Sequence, residues 1–315
     1  MNKTIEIDKQ YFSALSRLFS PVVIDNIASY GYSKYLSEVF FNSRLFTQIE
    51  PEMTISNFFD LVYNFLFKNY RNEYIYKNVI ANKILLGKHS LNTSHMLTEF
   101  RAGKCKADVV VVNGTSTVYE IKSEYDSLKR LRSQIQSYLD IFDHVNVITF
   151  KEQSAQIDSI LPDQVGILIV TDRNTISVVR DSRSNKENIN TSILFDSLRK
   201  AEYLKIIEDY YGMMPDVPNT QIYKECKNLF CKLSPDIAHD LAMQILRTRK
   251  NTNALQEFID NAPSSLSAYA MSICNETKKM KALIAKFSSS VSSMFLSQKE
   301  VNTCITHISG VNSLN

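Results

Sequence analysis

Two carboxylates and a lysine carry the strongest chemistry in this chain: Asp108, then Glu120 and Lys122, within EFRAGKCKADVVVVNGTSTVYEIKSEYDSLKRLRSQIQSY, residues 99–138. Carboxylates about a dozen residues apart on adjacent strands can bind a hard divalent cation through oxygen, and Mg²⁺ keeps waters on its remaining positions. Such a cation lowers the pKa of a bound water and stabilises charge on a phosphate. A lysine on the same side can orient the attacking water or neutralise the phosphate. Together these parts suit hydrolysis of a phosphodiester. An ExK triplet is common by chance, and such pairs also sit on solvated faces. The run Val109 to Val112 argues for a buried strand, on which Asp108 needs a compensating partner or ion.

Those three residues need two strands and a turn beneath them. Side chains alternate along a strand, so Asp108 is expected to point with Val110 and Val112, and Glu120 with Lys122. Asp126 is a plausible N-cap for a helix over 127–142, with Leu128, Leu131, Ile135 and Tyr138 or Leu139 on its buried side. HVNVITF reads as a further strand, and VGILIVTD and TISVVRD as a hairpin. Strands on both sides of a helix point to a mixed α/β sheet.

Upstream, the chain reads as helical. Ser20, Pro21 and Gly31 bracket one helix, Ser33 caps a second through Phe41, and Thr54 starts a third carrying Phe58, Val62, Phe65 and Leu66. A helix over 71–86, ended by Gly87, carries Glu73, which falls on or beside the face of Ile80 and Ile84. Glu73 is either a boundary residue paired with Lys77 or a further acid brought to the site. From Asn190 onward helical periodicity returns near 191–211, 219–232, 235–250, 252–261 and 264–286, with a break at MMPDVPNT.

Composition narrows the setting. The chain has 315 residues, 44% hydrophobic and 22% charged, and a net charge of +3 too small to announce nucleic-acid binding by itself. No apolar run is long enough to span a bilayer and the first residues lack a signal-peptide core, so a cytoplasmic protein with no membrane partner is expected. The five cysteines and five histidines are scattered, which argues against a disulfide framework or a zinc site. His89 and His95 are expected in the loop between the first core helix and the first strand. Cys105, between two lysines, reads as structural.

Glu73, then Asp108, then Glu120-Ile121-Lys122, then a helix bearing Gln134, resembles the PD-(D/E)XK nuclease superfamily. More closely, YRNEYIYKNVIANKILLGKHS, the central stretch and LPDQVGILIVTD resemble an uncharacterised bacterial family of restriction-endonuclease-like proteins, from LFSPVVID to about residue 210. The resemblance implies an α/β fold with a restriction-endonuclease-like mixed central sheet flanked by helices, an N-terminal helical extension over 1–70, a nuclease core over 71–190 and an all-helical C-terminal region over 191–315. It implies a metal-dependent nuclease acting most readily on DNA in host defence or a mobile element, with Mg²⁺ as cofactor and Mn²⁺ as substitute. Asp108 and Glu120 match the metal-binding acids, the Ile121 backbone carbonyl a further ligand, Lys122 the catalytic lysine and Glu73 the acid of the first core helix. Gln134 matches a polar residue on the helix after the motif, and Ala107 replaces the usual proline.

Arg101, Lys104 and Lys106 before Asp108, and Lys129, Arg130 and Arg132 after Lys122, are either a solvated face of mixed charge or contacts to a nucleic-acid backbone. Arg130 and Gln134 stand one turn apart and would look toward one groove. The C-terminal helices are candidates for a homodimer interface. The competing reading is a catalytically inactive nuclease-like module that binds nucleic acid or a protein partner.

Overall fold

The computed structural model describes residues 5–50 and 52–294. Pro51, Cys304, His307 and the end of the Ser-rich stretch with the polar tail lie outside them. The described residues form a mixed α/β protein in two compact units, one made of Met1–Asn78 with Asn253–Asn315, the other of Val79–Thr252. The cuts differ from those expected at 70/71 and 190/191. No described helix is long and apolar enough to cross a membrane.

In the first unit the caps expected at Ser33 and Thr54 form, whereas Ser20 stands at the N-cap position without a side-chain cap hydrogen bond. Pro21–Tyr30 begins on Pro21 and stops at Gly31, whose φ of 83° suits a residue without Cβ. Ser33 accepts the Leu36 N–H at the start of Lys34–Asn42, and Thr54 that of Asn57 at the start of Ile55–Asn69. Distant chain segments are tied by polar bonds that periodicity does not reveal. Asn78 donates to the Ser264 carbonyl and accepts from the Ala268 N–H, both at 2.9 Å, and Tyr269 donates to Asp25 at 2.6 Å. These bonds explain why residues from both ends share one unit. The expected helix over 264–286 is interrupted, with Ser267–Ser272 and Thr277–Phe287 as its pieces.

The second unit is built on a six-stranded sheet in sequence order: β1 His95–Ala102, β2 Cys105–Val112, β3 Ser116–Ile121, β4 His144–Thr149, β5 Gly166–Val170 and β6 Ile176–Arg180. β1, β2 and β3 pair antiparallel, β3, β4 and β5 parallel, and β5 and β6 antiparallel. The parallel steps need crossovers, supplied by the helices Leu131–Leu139 and Lys151–Asp158. Val110, Val112, Val118, Val145, Val147 and Ile167 bury one face of the sheet with Leu131, Ile135 and Tyr138 of the first crossover helix. Gly166 is required by a close approach, since a Cβ there would lie 2.0 Å from Asn146 Oδ1 and 2.8 Å from the Ser182 amide nitrogen.

Several expectations are corrected. β1 occupies residues read as loop, because its alternation is broken at Glu99, whose φ is 54°. His95 therefore opens a strand and is buried. Asp126 does not cap the crossover helix. It accepts the Ser123 N–H and hydroxyl at 2.9 and 2.6 Å, while Ser127 caps a 3₁₀ turn, Leu128–Arg130, that precedes the helix. The helix expected over 71–86 becomes Glu73–Ile80, a π turn at Ala81–Leu85 and a last turn Leu86–Lys88. The segment near 191–211 divides into Thr191–Asp196 and Lys200–Tyr211.

Candidate functional site

The β2–β3 ladder ends at the pair Val109↔Tyr119, and the acidic residues sit one step beyond it on each strand. The Ile121 N–H donates to Asp108 Oδ2 at 2.8 Å, so the carboxylate takes a backbone donor where strand pairing stops. Ala107 and Val110 join the same apolar cluster although they differ in parity, so simple alternation does not carry through Asp108. Asp108 is half-buried, whereas Glu120, on a strand with a neighbour on each side, is 1% exposed.

Lys122 is clamped at its backbone: its N–H donates to the Ile148 carbonyl and its carbonyl accepts from the Thr149 hydroxyl. Its Nζ donates to Glu120 Oε1 at 2.6 Å and to Gln134 Oε1 at 3.1 Å. The other Glu120 oxygen accepts from the Tyr138 hydroxyl at 2.7 Å. That hydroxyl also lies 3.0 Å from the Lys106 carbonyl oxygen. Gln134 and Tyr138 are one helical turn apart and therefore reach the same pair of strands. Burial, then the charge and hydrogen bond of Glu120, and then Asp108, push the Tyr138 phenol far above its ordinary range, so it acts as a neutral donor. Sequence periodicity placed Tyr138 among the buried apolar residues. Its position four residues after Gln134 was the available signal.

The structure thus brings together Asp108, Glu120, Ile121, Lys122 and Gln134, with the Ile121 amide rather than its carbonyl making the observed contact. Glu73 belongs to the other unit, in the exposed first turn of its helix, where it pairs with Lys77 at 2.5 Å. Glu99 was not anticipated as a site residue. Its carboxylate and that of Asp108 place oxygens within 4.8 Å, and it pairs with Lys106 at 3.0 Å. The left-handed backbone of Glu99 disguises it in a pattern search.

The basic residues divide. Arg101, Lys104, Lys129 and Arg130 are exposed, as are Lys106, held by Glu99, and Arg132, which donates to the Ile160 carbonyl at 3.3 Å. Gln134 turns inward to Lys122, whereas Arg130 is exposed. Of the two histidines expected in a loop, the His89 ring meets Asn113 Nδ2 at 3.1 Å. His95 is buried, and neither ring nitrogen has a hydrogen-bond partner among the described residues. Cys105 Sγ lies 3.4 Å from the Ser137 hydroxyl.

Residues 67–272 match a family model described as Bacteriophage P4 protein cII. Among curated proteins, "Protein cII" of Enterobacteria phage P4 is 21% identical over 188 residues, covering 58% of this chain and 69% of that protein. No solved structure matches the chain.

Proposed function

We propose that this chain, which belongs to the Bacteriophage P4 protein cII family, is a metal-dependent nuclease that hydrolyses phosphodiester bonds, in DNA before RNA. The name of the family states no chemistry, so the reading rests on the site. The observation that carries it is the buried Glu120–Lys122 pair beside Asp108 at the end of a ladder. Evolutionarily neutral packing would fill such a place with apolar side chains, because a buried ion pair is often no more stabilising than hydrophobic residues of similar volume. A restriction-endonuclease-like fold is part of the same proposal. It is supported by a mixed sheet in which three antiparallel strands are followed by a crossover helix and a parallel fourth strand.

The donor set fits a hard divalent cation. Asp108 and Glu120 offer carboxylate oxygens, the donor type that a hard divalent cation takes. Two carboxylates against one ammonium leave a net negative charge for a cation to balance. Asp108 and Glu120 would hold Mg²⁺ or Mn²⁺, with the Ile121 carbonyl as a further proposed ligand. When bound, such an ion supplies an acidified water and charge stabilisation at the phosphate. Lys122 contributes an ammonium whose position is fixed by Glu120 and Gln134. Tyr138 keeps Glu120 oriented, and the exposed Lys129 and Arg130 offer positive charge for the DNA backbone.

The test is a cleavage panel of linear, supercoiled, branched and single-stranded DNA with Mg²⁺ and with Mn²⁺, comparing wild type with Asp108→Ala and Lys122→Ala. The expected result is metal-dependent cleavage lost in both variants. Wild-type rates in either variant would overturn the assignment. One observation favours a second reading, a nuclease-like module that binds without cutting: both Glu120 oxygens are already engaged by Lys122 and Tyr138. Calorimetric titration separates the two, since the module reading requires that no divalent-metal binding depend on Asp108 and Glu120.

A further inference from the structure

The loop that follows Lys122 combines a fixed base with an exposed aromatic tip. Ser123 is 3% exposed, and its N–H and hydroxyl both donate to Asp126 Oδ2. The same Ser123 hydroxyl accepts the Tyr125 N–H at 3.4 Å. Between these anchors Tyr125 keeps 55% of its surface exposed. Among the other large exposed aromatics, Tyr30 lies in the first unit, and Tyr210 and Tyr223 lie on helices after the sheet. Tyr125 stands on the connection between the strand bearing Glu120 and the helix bearing Gln134.

We propose that Tyr125 is a stacking platform for an unpaired base of the substrate, so that the site takes DNA with single-stranded character beside the bond it cuts. The inference rests on the nuclease reading above and adds the substrate class. Tyr125 stands three positions after Lys122, a span of at most about 10 Å. That is roughly three base steps at 3.4 Å along one strand. A ring within this reach of Lys122 can meet a base within a few nucleotides of the reacting phosphate. The neighbouring Glu124 is exposed and acidic, which disfavours a phosphate at the tip and leaves a neutral base face unaffected. Lys129 and Arg130, exposed a few residues on, supply the charge that tracks the backbone. A base within a duplex has both faces covered by its neighbours, so only an unpaired or frayed base presents one to the ring.

The experiment uses the full chain in EDTA, which separates binding from cleavage. Fluorescence anisotropy would compare a dye-labelled single-stranded oligonucleotide with a blunt hairpin duplex of equal length, for wild type, Tyr125→Ala, Tyr125→Phe and Tyr125→Trp. The expected result is that Tyr125→Ala weakens single-strand binding roughly 5- to 100-fold while the aromatic variants keep it. Duplex binding, carried by phosphate contacts, stays within about twofold. Unchanged melting temperatures would show that the variants fold. Equal effects of Tyr125→Ala on both ligands, or no effect on either, would overturn the proposal, as would a loss with Tyr125→Phe as large as with Tyr125→Ala. The same proteins assayed with Mg²⁺ separate the two ideas. Cleavage with an unchanged single-strand to duplex ratio sinks the Tyr125 inference alone. The stacking pattern without any metal-dependent cleavage sinks the nuclease reading and leaves Tyr125 as a DNA contact.

Discussion

Replacing Lys122 with Met removes the ammonium 2.6 Å from Glu120 Oε1 while keeping much of the side-chain volume. At that separation the gross attraction is about 6 kcal/mol for an effective dielectric near 20. Desolvation of both ions offsets much of this, so the pair's net contribution is smaller than the cost of breaking it. Glu120 is 1% exposed, and without Lys122 it would retain only the Tyr138 hydroxyl among the side-chain donors described above. An uncompensated buried charge of this kind costs about 3–5 kcal/mol. Glu120→Gln leaves the ammonium facing a neutral amide, with Gln134 still accepting, and should cost about 2–3 kcal/mol. The double variant Lys122→Met/Glu120→Gln carries neither charge and should be more stable than the sum of the single losses, by a coupling of about 2–3 kcal/mol. Urea unfolding at neutral pH in EDTA measures all four proteins. Far-ultraviolet circular dichroism suits a chain that has 16 tyrosines and no tryptophan. Additivity to within about 0.5 kcal/mol would refute the reasoning, because it would mean that the two charges do not sustain each other in the fold.

Two further outcomes follow from the second unit. Burial, reinforced by the cations of Lys250 and Arg249, lowers the His95 pKa from 6.5 to about 3. The unfolded chain takes up a proton near the ordinary value and the folded chain only near the lowered one. The stability due to the neutral ring is therefore complete above about pH 6.5 and is lost as pH falls, at about 1.4 kcal/mol per pH unit within that window. His95→Leu should flatten the acid limb of stability against pH, and an unchanged slope would show that another group carries it. Gly166→Ala forces a Cβ against Asn146 Oδ1 and the Ser182 backbone, with an expected loss of about 1–3 kcal/mol. Chemical denaturation checks this, and a neutral substitution would mean that β4 and β5 separate without cost at that point.

The sheet was legible where residues were regular. Val109 to Val112, HVNVITF and VGILIVTD read as strands and lie in β2, β4 and β5, and TISVVRD pairs with β5 as its hairpin partner. The cap residues Ser33 and Thr54 worked because a hydroxyl satisfying an orphan N–H is a local event. β1 was missed because Glu99 adopts a left-handed backbone within it. The helix near 71–86 was seen, but the π turn in its second half was not, since a change of hydrogen-bond register leaves little trace in apolar spacing.

The sequence by itself determined which groups are available: two acids and a lysine at strand-compatible spacing, a glutamine on the following helix, and basic residues on either side. Residue identity and period 2 or 3.6 depend only on local covalent geometry, so they can be read along the chain. Tertiary structure alone decided that Asp108 takes a backbone N–H at the end of a ladder, and that Lys122 faces Glu120 and Gln134 rather than solvent. It also turned Tyr138 from a core residue into a donor to Glu120, left Tyr125 outside, and joined residues from both ends of the chain in one unit. These outcomes depend on which strands and helices meet across long stretches of chain, where buried polar groups must find partners that local pattern does not specify.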